Sequence, residues 1–286
     1  MKLIATAERT EVAYEPPLSA ILDFEVKEGR MSGSAASMLF SAYLSEHYVL
    51  DPLQGRGVSV KKDDYSSILN YKEEADYLNR VSFSGGAEAA VQYAAAVEPR
   101  LVFKMTRRWD LLTALLESEA DLKGVEIKRS LWAVAASIAK KGWLEPRKDQ
   151  ARFLPGERNF ASFDTPYHCC DELKKRWPRL SNEQRAAHYV SELSKKREAL
   201  IKNTRNIVQI RYEDLAIDPS RIKDQIFETF GLADGPFTKS VLGEVLPIDN
   251  QRTVDAFRSV LDKRSIEILD KADLSVNNKV CGNSNR

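Results

Sequence analysis

The sequence predicts an α/β protein, a parallel sheet flanked by helices. Short runs rich in Val, Ile and Phe alternate with helical segments, and strands separated by helices pair in parallel. These runs end in polar residues: Glu15, Lys104, Arg129 and Tyr212. No internal repeat interrupts the alternation, which argues against a solenoid or propeller. A length of 286 residues with 43% hydrophobic content is enough for one large domain or two small ones. The expected organisation is a single domain over 1–275 with a flexible tail over 276–286.

The elements follow in order. In residues 2–9, Leu3, Ile4 and Ala7 share one helical face. "TEVAYEPP" then reads as a strand stopped by two prolines, with Glu15 at its carboxyl end. From about 29 to 75 the pattern is polar and fits helices and loops, with "MSGSAAS" at 31–37 as a loop. The Ala-rich stretch 85–97 is a helix, "RLVFK" a strand ending at Lys104, and 110–120 a helix with a leucine face. "GVEIKRS" is a strand ending at Lys128 and Arg129, and Ser130 is placed to cap the helix that follows.

Residues 145–180, rich in Pro, aromatic and charged residues, read as a long functional loop with short helices. Ser181 caps a helix that runs to about 203, with Glu183 or Gln184 in its first turn. Asn206–Tyr212 alternates as a strand, Glu213-Asp214-Leu215 ends it, and Asp218-Pro219 opens the next helix. The rest, to 275, is helical around a loop at Gly235-Pro236.

Composition removes several function classes. The 43 basic and 42 acidic residues nearly cancel, so no global field favours nucleic acid or an anionic membrane. No apolar run approaches the roughly 20 residues of a membrane span. The N-terminus is too charged for a secretory signal. Three cysteines, two of them adjacent, make no disulfide framework and suit a reducing compartment. The expectation is a soluble cytoplasmic protein with no nucleic-acid partner and no membrane segment; the oligomeric state stays open.

Ligands of open α/β sheets bind beyond the carboxyl ends of the strands. Cations at two of those ends, Lys104 and Arg129, point to an anionic ligand. Arg129 precedes a helix N-terminus, where free N–H groups and the dipole attract anions. Ser137 lies seven residues after Ser130, about two turns on, and so shares its face. A guanidinium and a hydroxyl on one side can hold a phosphate. The same pair also fits a surface cation and a small packing side chain.

Arg129 followed eight residues later by Ser137 in a strand–helix unit, with a later strand ending in "RYEDL" and Asp-Pro, resembles the sulfotransferase family. The resemblance runs loosely over 1–265. It implies a P-loop nucleotide-hydrolase-like fold and sulfuryl transfer from 3'-phosphoadenosine 5'-phosphosulfate to a hydroxyl, with a carbohydrate acceptor implied by "YEP". It implies that Arg129 and Ser137 hold the 3'-phosphate and that Tyr212 lies near the adenine. Glu15 would take the acceptor proton and Lys104 would stabilise the bridging oxygen. Glu15 equally fits a loop glutamate, and Lys104 a solvated strand end.

The family's Gly-rich loop, of the type Lys/Arg-Ser-Gly-Thr-Thr, does not occur in these 286 residues. The expectation is that the central first strand and this loop precede Met1, leaving two neighbouring strands short of a partner. The chain as given is then expected to be inactive. "KMTRR" has no histidine where cytosolic members carry one. Two other readings stand beside this one: a non-catalytic relative binding adenosine 3',5'-bisphosphate or a protein, and a P-loop kinase. "YHCC" at 167–170 is read as loop, with no metal, because no second ligand pair has zinc spacing. Trp109, Trp132, Trp143 and Trp177 are expected in the core or in helix packing, and His47 and His188 as surface or packing residues.

Overall fold

The computed structural model describes residues 2–145, 169–245 and 251–278, apart from positions 62, 65, 107, 120, 203 and 205. Residues 146–168 of the expected loop, with the aromatics of 160–167, lie outside the described residues, as does the tail from 279. Among the described residues there are four strands: β1 (Thr10–Tyr14), β2 (Arg100–Lys104), β3 (Gly124–Lys128) and β4 (Ile207–Arg211). Before β2 come α1 (Lys2–Ala5), α2 (Leu18–Lys27), α3 (Gly33–Ser45), α4 (Asp51–Leu53), α5 (Glu74–Val81) and α6 (Gly86–Val97). α7 (Trp109–Ser118) precedes β3, and α8 (Leu131–Lys140), α9 (Asp171–Arg176) and α10 (Asn182–Lys202) precede β4. The remainder is α11 (Tyr212–Ile217), α12 (Pro219–Phe230), α13 (Thr238–Gly243), α14 (Gln251–Ser259) and α15 (Lys263–Asn278).

The protein is mixed α/β and mostly helical. The strands pair in parallel, as the alternation implied, but in two separate two-stranded sheets: β1 with β2, and β3 with β4. The chain divides into two compact units, Met1–Lys123 with Asp214–Leu246, and Gly124–Glu213 with Pro247–Arg286. Among the described residues no helix is long and apolar enough to cross a membrane.

In the first unit β1 is covered on both faces, as parallel strands usually are. Ala13 packs into a cluster with Leu22, Phe40, Leu111 and Leu115, while Val12 joins Ala5, Ile68 and Tyr71. The expected helix 2–9 stops at Ala5, because threonine hydroxyls take up the carbonyls that would continue it. Thr10 donates to the carbonyls of Ala5 at 3.0 Å and Ala7 at 2.6 Å. "MSGSAAS" is not a loop. Ser32 accepts from the Ala35 N–H at 3.2 Å and caps α3, whose Ala36 and Phe40 enter the core. A Cβ on Gly33 would lie 3.1 Å from that of Ala114, so the glycine allows α3 to approach α7 closely.

Two buried carboxylates tie this unit together. Glu11 accepts both Arg80 terminal nitrogens, at 3.1 and 2.8 Å, and lies 3.8 Å from the Lys72 ammonium. Burial holds Lys72 below the ordinary lysine range, and Glu11 opposes that shift. Asp23 accepts from the Leu111 N–H at 2.9 Å, anchoring the first turn of α7. Arg100 at the start of β2 donates to the carbonyls of Phe230 and Gly231, where α12 ends with Gly231 in the left-handed region (φ 58°).

In the second unit α8, α10, α14 and α15 enclose Leu131, Trp132, Trp177, Tyr189, Phe257 and Leu269. α10 starts on the expected capping box: Ser181 accepts from the Gln184 N–H at 3.2 Å, and Gln184 accepts from the Ser181 N–H at 2.9 Å. Two expectations are corrected. The strand expected over Asn206–Tyr212 is shorter, Ile207–Arg211, and Tyr212 is the first residue of α11. Trp143 is not a core residue; it is 46% exposed, with the Lys141 ammonium 4.8 Å from its ring. His188 is a packing histidine, buried on α10.

Two stability predictions follow from the buried charges. Glu11→Gln leaves the Arg80 guanidinium short of its buried counter-charge and should cost about 3–5 kcal/mol in urea denaturation. His188 is held below its ordinary value of 6.5, first by burial and then by Arg176 and Arg264, against Asp262 and Glu192. The unfolded chain therefore binds the proton more readily than the folded one. Stability should be complete above about pH 6.5, fall as the pH drops towards the lower folded value, and level off below it. Denaturation midpoints across this range should lose that slope in His188→Gln.

Candidate functional site

The polar strand ends gather into two clusters, one in each unit. In the first, the register sets Tyr14 opposite Lys104, so the residue after β1 lies beside the end of β2. That residue is Glu15, whose backbone takes φ 46°, a left-handed conformation that costs a non-glycine residue about 1 kcal/mol or more. Its Oε1 lies 2.9 Å from the Lys104 ammonium and accepts from the Thr106 hydroxyl at 2.7 Å. The Glu15 and Lys104 side chains are 49% and 45% exposed, so solvent screens the ion pair and it adds little stability. A carboxylate, an ammonium and a hydroxyl on one rim can accept a proton and stabilise developing negative charge.

In the second unit Lys128 pairs with Arg211, which brings the next residues, Arg129 and Tyr212, together. The Arg129 guanidinium carbon lies 5.2 Å from the centre of the Tyr212 ring, within cation–π range. Both residues are half-buried. Behind them Glu126 lies 2.8 Å from Arg197 and accepts from Gln209 at 3.0 Å. Burial lifts the Glu126 carboxyl above the usual carboxylate range, with Arg197, Lys128 and Gln209 pulling it back.

The N-terminus of α8 differs from expectation. Ser130 occupies the cap position, but its hydroxyl makes no capping bond. Two carboxylates from distant segments serve instead. Glu213 accepts from the Ser130 N–H at 3.3 Å, and Asp273 of α15 accepts from the Leu131 N–H at 2.6 Å. Two of the backbone donors at this helix start thus already hold protein carboxylates. Ser137 is half-buried on α8, seven residues beyond Ser130 and so on the same helical face.

Of the five residues singled out from sequence, the fold pairs Glu15 with Lys104 and Arg129 with Tyr212. Sequence reading missed Thr106, Glu213 as a cap, and Asp273. Thr106 could have been found from its place two residues past a strand end. Asp273 had no local signal, because its partner lies 142 residues away. No family model, curated protein or solved structure matches the chain.

Asp273→Ala should cost about 1 kcal/mol, the usual worth of a helix cap, read as a lower denaturation midpoint.

Proposed function

We propose that this chain belongs to the α/β transferases that hold a nucleotide at the carboxyl ends of parallel strands. Within that class, the reading that accounts for most of its residues is a sulfotransferase using 3'-phosphoadenosine 5'-phosphosulfate, with a hydroxyl acceptor, carbohydrate by the "YEP" resemblance. The observation that carries it is the meeting of Arg129 and Tyr212, from two motifs far apart in sequence, with the cation over the ring. A guanidinium suits a phosphate through charge and fork geometry, and an aromatic face suits a purine. In this reading Arg129 and Ser137 hold the 3'-phosphate and Tyr212 lies against the base.

The parallel pairs β1–β2 and β3–β4 also support it, since the resemblance implies a parallel sheet whose central strand carries the Gly-rich loop. That loop supplies the donors that stabilise the leaving phosphate, and no such run occurs in these 286 residues. The reading therefore assigns nucleoside binding, rather than turnover, to the residues given. Glu15 would accept the acceptor proton, and Lys104 would face the charge on the bridging oxygen.

A second reading, a non-catalytic binding protein, is favoured by one observation. Glu213 and Asp273 occupy the first N–H groups of α8, so an anion there meets two carboxylates.

Calorimetry with adenosine 3',5'-bisphosphate tests the first reading. Arg129→Ala should weaken binding by roughly 2–4 kcal/mol, because it removes a charged phosphate contact. An unchanged dissociation constant overturns the site. Sulfate transfer from radiolabelled donor, by this chain and by a form carrying any residues encoded ahead of Met1, separates binding from turnover. Equal turnover by the two forms overturns the assignment of catalysis to a separate Gly-rich loop.

A further inference from the structure

We propose that Thr106 is a positioning residue for Glu15: its hydroxyl aims the carboxylate and stabilises its charged, proton-accepting form. The proposal rests on the reading of Glu15 as the proton acceptor.

Three observations converge on it. Glu15 is a flexible side chain at the rim of the first unit, and its pair with Lys104 is half-exposed. An exposed lysine is a poor orienting partner, because its ammonium is a point charge on a long stem. The Thr106 hydroxyl is different: χ1 is the only torsion that moves its heavy atoms, and Cβ branching stiffens it. It donates to the same Oε1 that faces Lys104, at 2.7 Å, so two donors converge on one carboxylate oxygen.

The backbone at both ends of this contact is held. Glu15 sits in the left-handed region at φ 46°, between β1 and the Pro16-Pro17 pair. Thr106 lies between β2 and α7, a connection anchored on one side by pairing to β1. On the other side the buried Asp23 carboxylate binds the Leu111 N–H. Strain held by such surroundings is characteristic of residues kept in a working geometry. A hydrogen bond donated to a carboxylate favours its ionised form, so Thr106 both points the group and keeps it ready to take a proton.

The test uses the 286-residue chain with 13C-labelled glutamate side-chain carboxyls, the Glu15 resonance being identified by its loss in Glu15→Gln. In Thr106→Val the Glu15 titration midpoint should move to higher pH. In Thr106→Ser, which restores a hydroxyl, it should return towards the parent value. Thr106→Ala replaces the valine variant if that one fails to fold. An unchanged midpoint in the hydroxyl-free variant overturns the proposal, whether or not the protein transfers sulfate. In a form that turns over, Thr106→Val should move the acidic limb of the kcat/KM profile upward with the donor KM unchanged. Full turnover by Glu15→Gln would instead remove Glu15 as the proton acceptor, and with it the catalytic meaning of Thr106.

Discussion

Parallel strands cannot be joined by a tight turn; each pair needs a crossover of a dozen or more residues, usually helical. That constraint organises both of the polar clusters described above. The crossover between β1 and β2 contains α2 to α6, and the one between β3 and β4 contains α8 to α10. Because paired strands run the same way, their carboxyl ends lie side by side. Tyr14 faces Lys104, and Lys128 faces Arg211. The residues just beyond these ends are then neighbours without any local sequence relation. Glu15 meets Lys104 and Thr106, and Arg129 meets Tyr212.

The helices that make the crossovers must be fixed against the strands, and buried or half-buried carboxylates do part of this. Glu11 on β1 grips Arg80 of α5, Asp23 of α2 holds the start of α7, and Glu126 on β3 faces Arg197 of α10. A buried carboxylate is costly unless charge or hydrogen bonds compensate it. Each of these three is compensated by a group on another element, so each also specifies which elements belong together. The exposed pair of Glu15 and Lys104 has no such structural weight, because solvent screens it.

Carboxylates from other segments also fix the start of α8. Two of its N–H groups, those of Ser130 and Leu131, are bonded from within, by Glu213 directly after Tyr212 and by Asp273 from the last helix. Trp132 donates to Asp270 at 3.1 Å, so α15 contacts α8 through two carboxylates one turn apart.

How much of this could be read from the residues depends on the range of each interaction. Strands 10–14, 100–104, 124–128 and 207–211 were legible because burial on a pleated surface leaves β-branched and apolar runs of fixed length. The Ser181 capping box and the Asp218 cap were legible because both partners lie within one turn. Glu15, Lys104, Arg129 and Tyr212 stood out as polar residues at strand ends, but which of them would meet was not written there. Local hydrogen bonding misled in both directions: Ser32 turned an apparent loop into α3, and threonine hydroxyls cut α1 short. The division of the strands into two sheets, and the Asp273 and Thr106 contacts, were decided only by tertiary structure. They join segments whose spacing in sequence carries no periodic signal, and their free energy is gained only once the crossovers have closed.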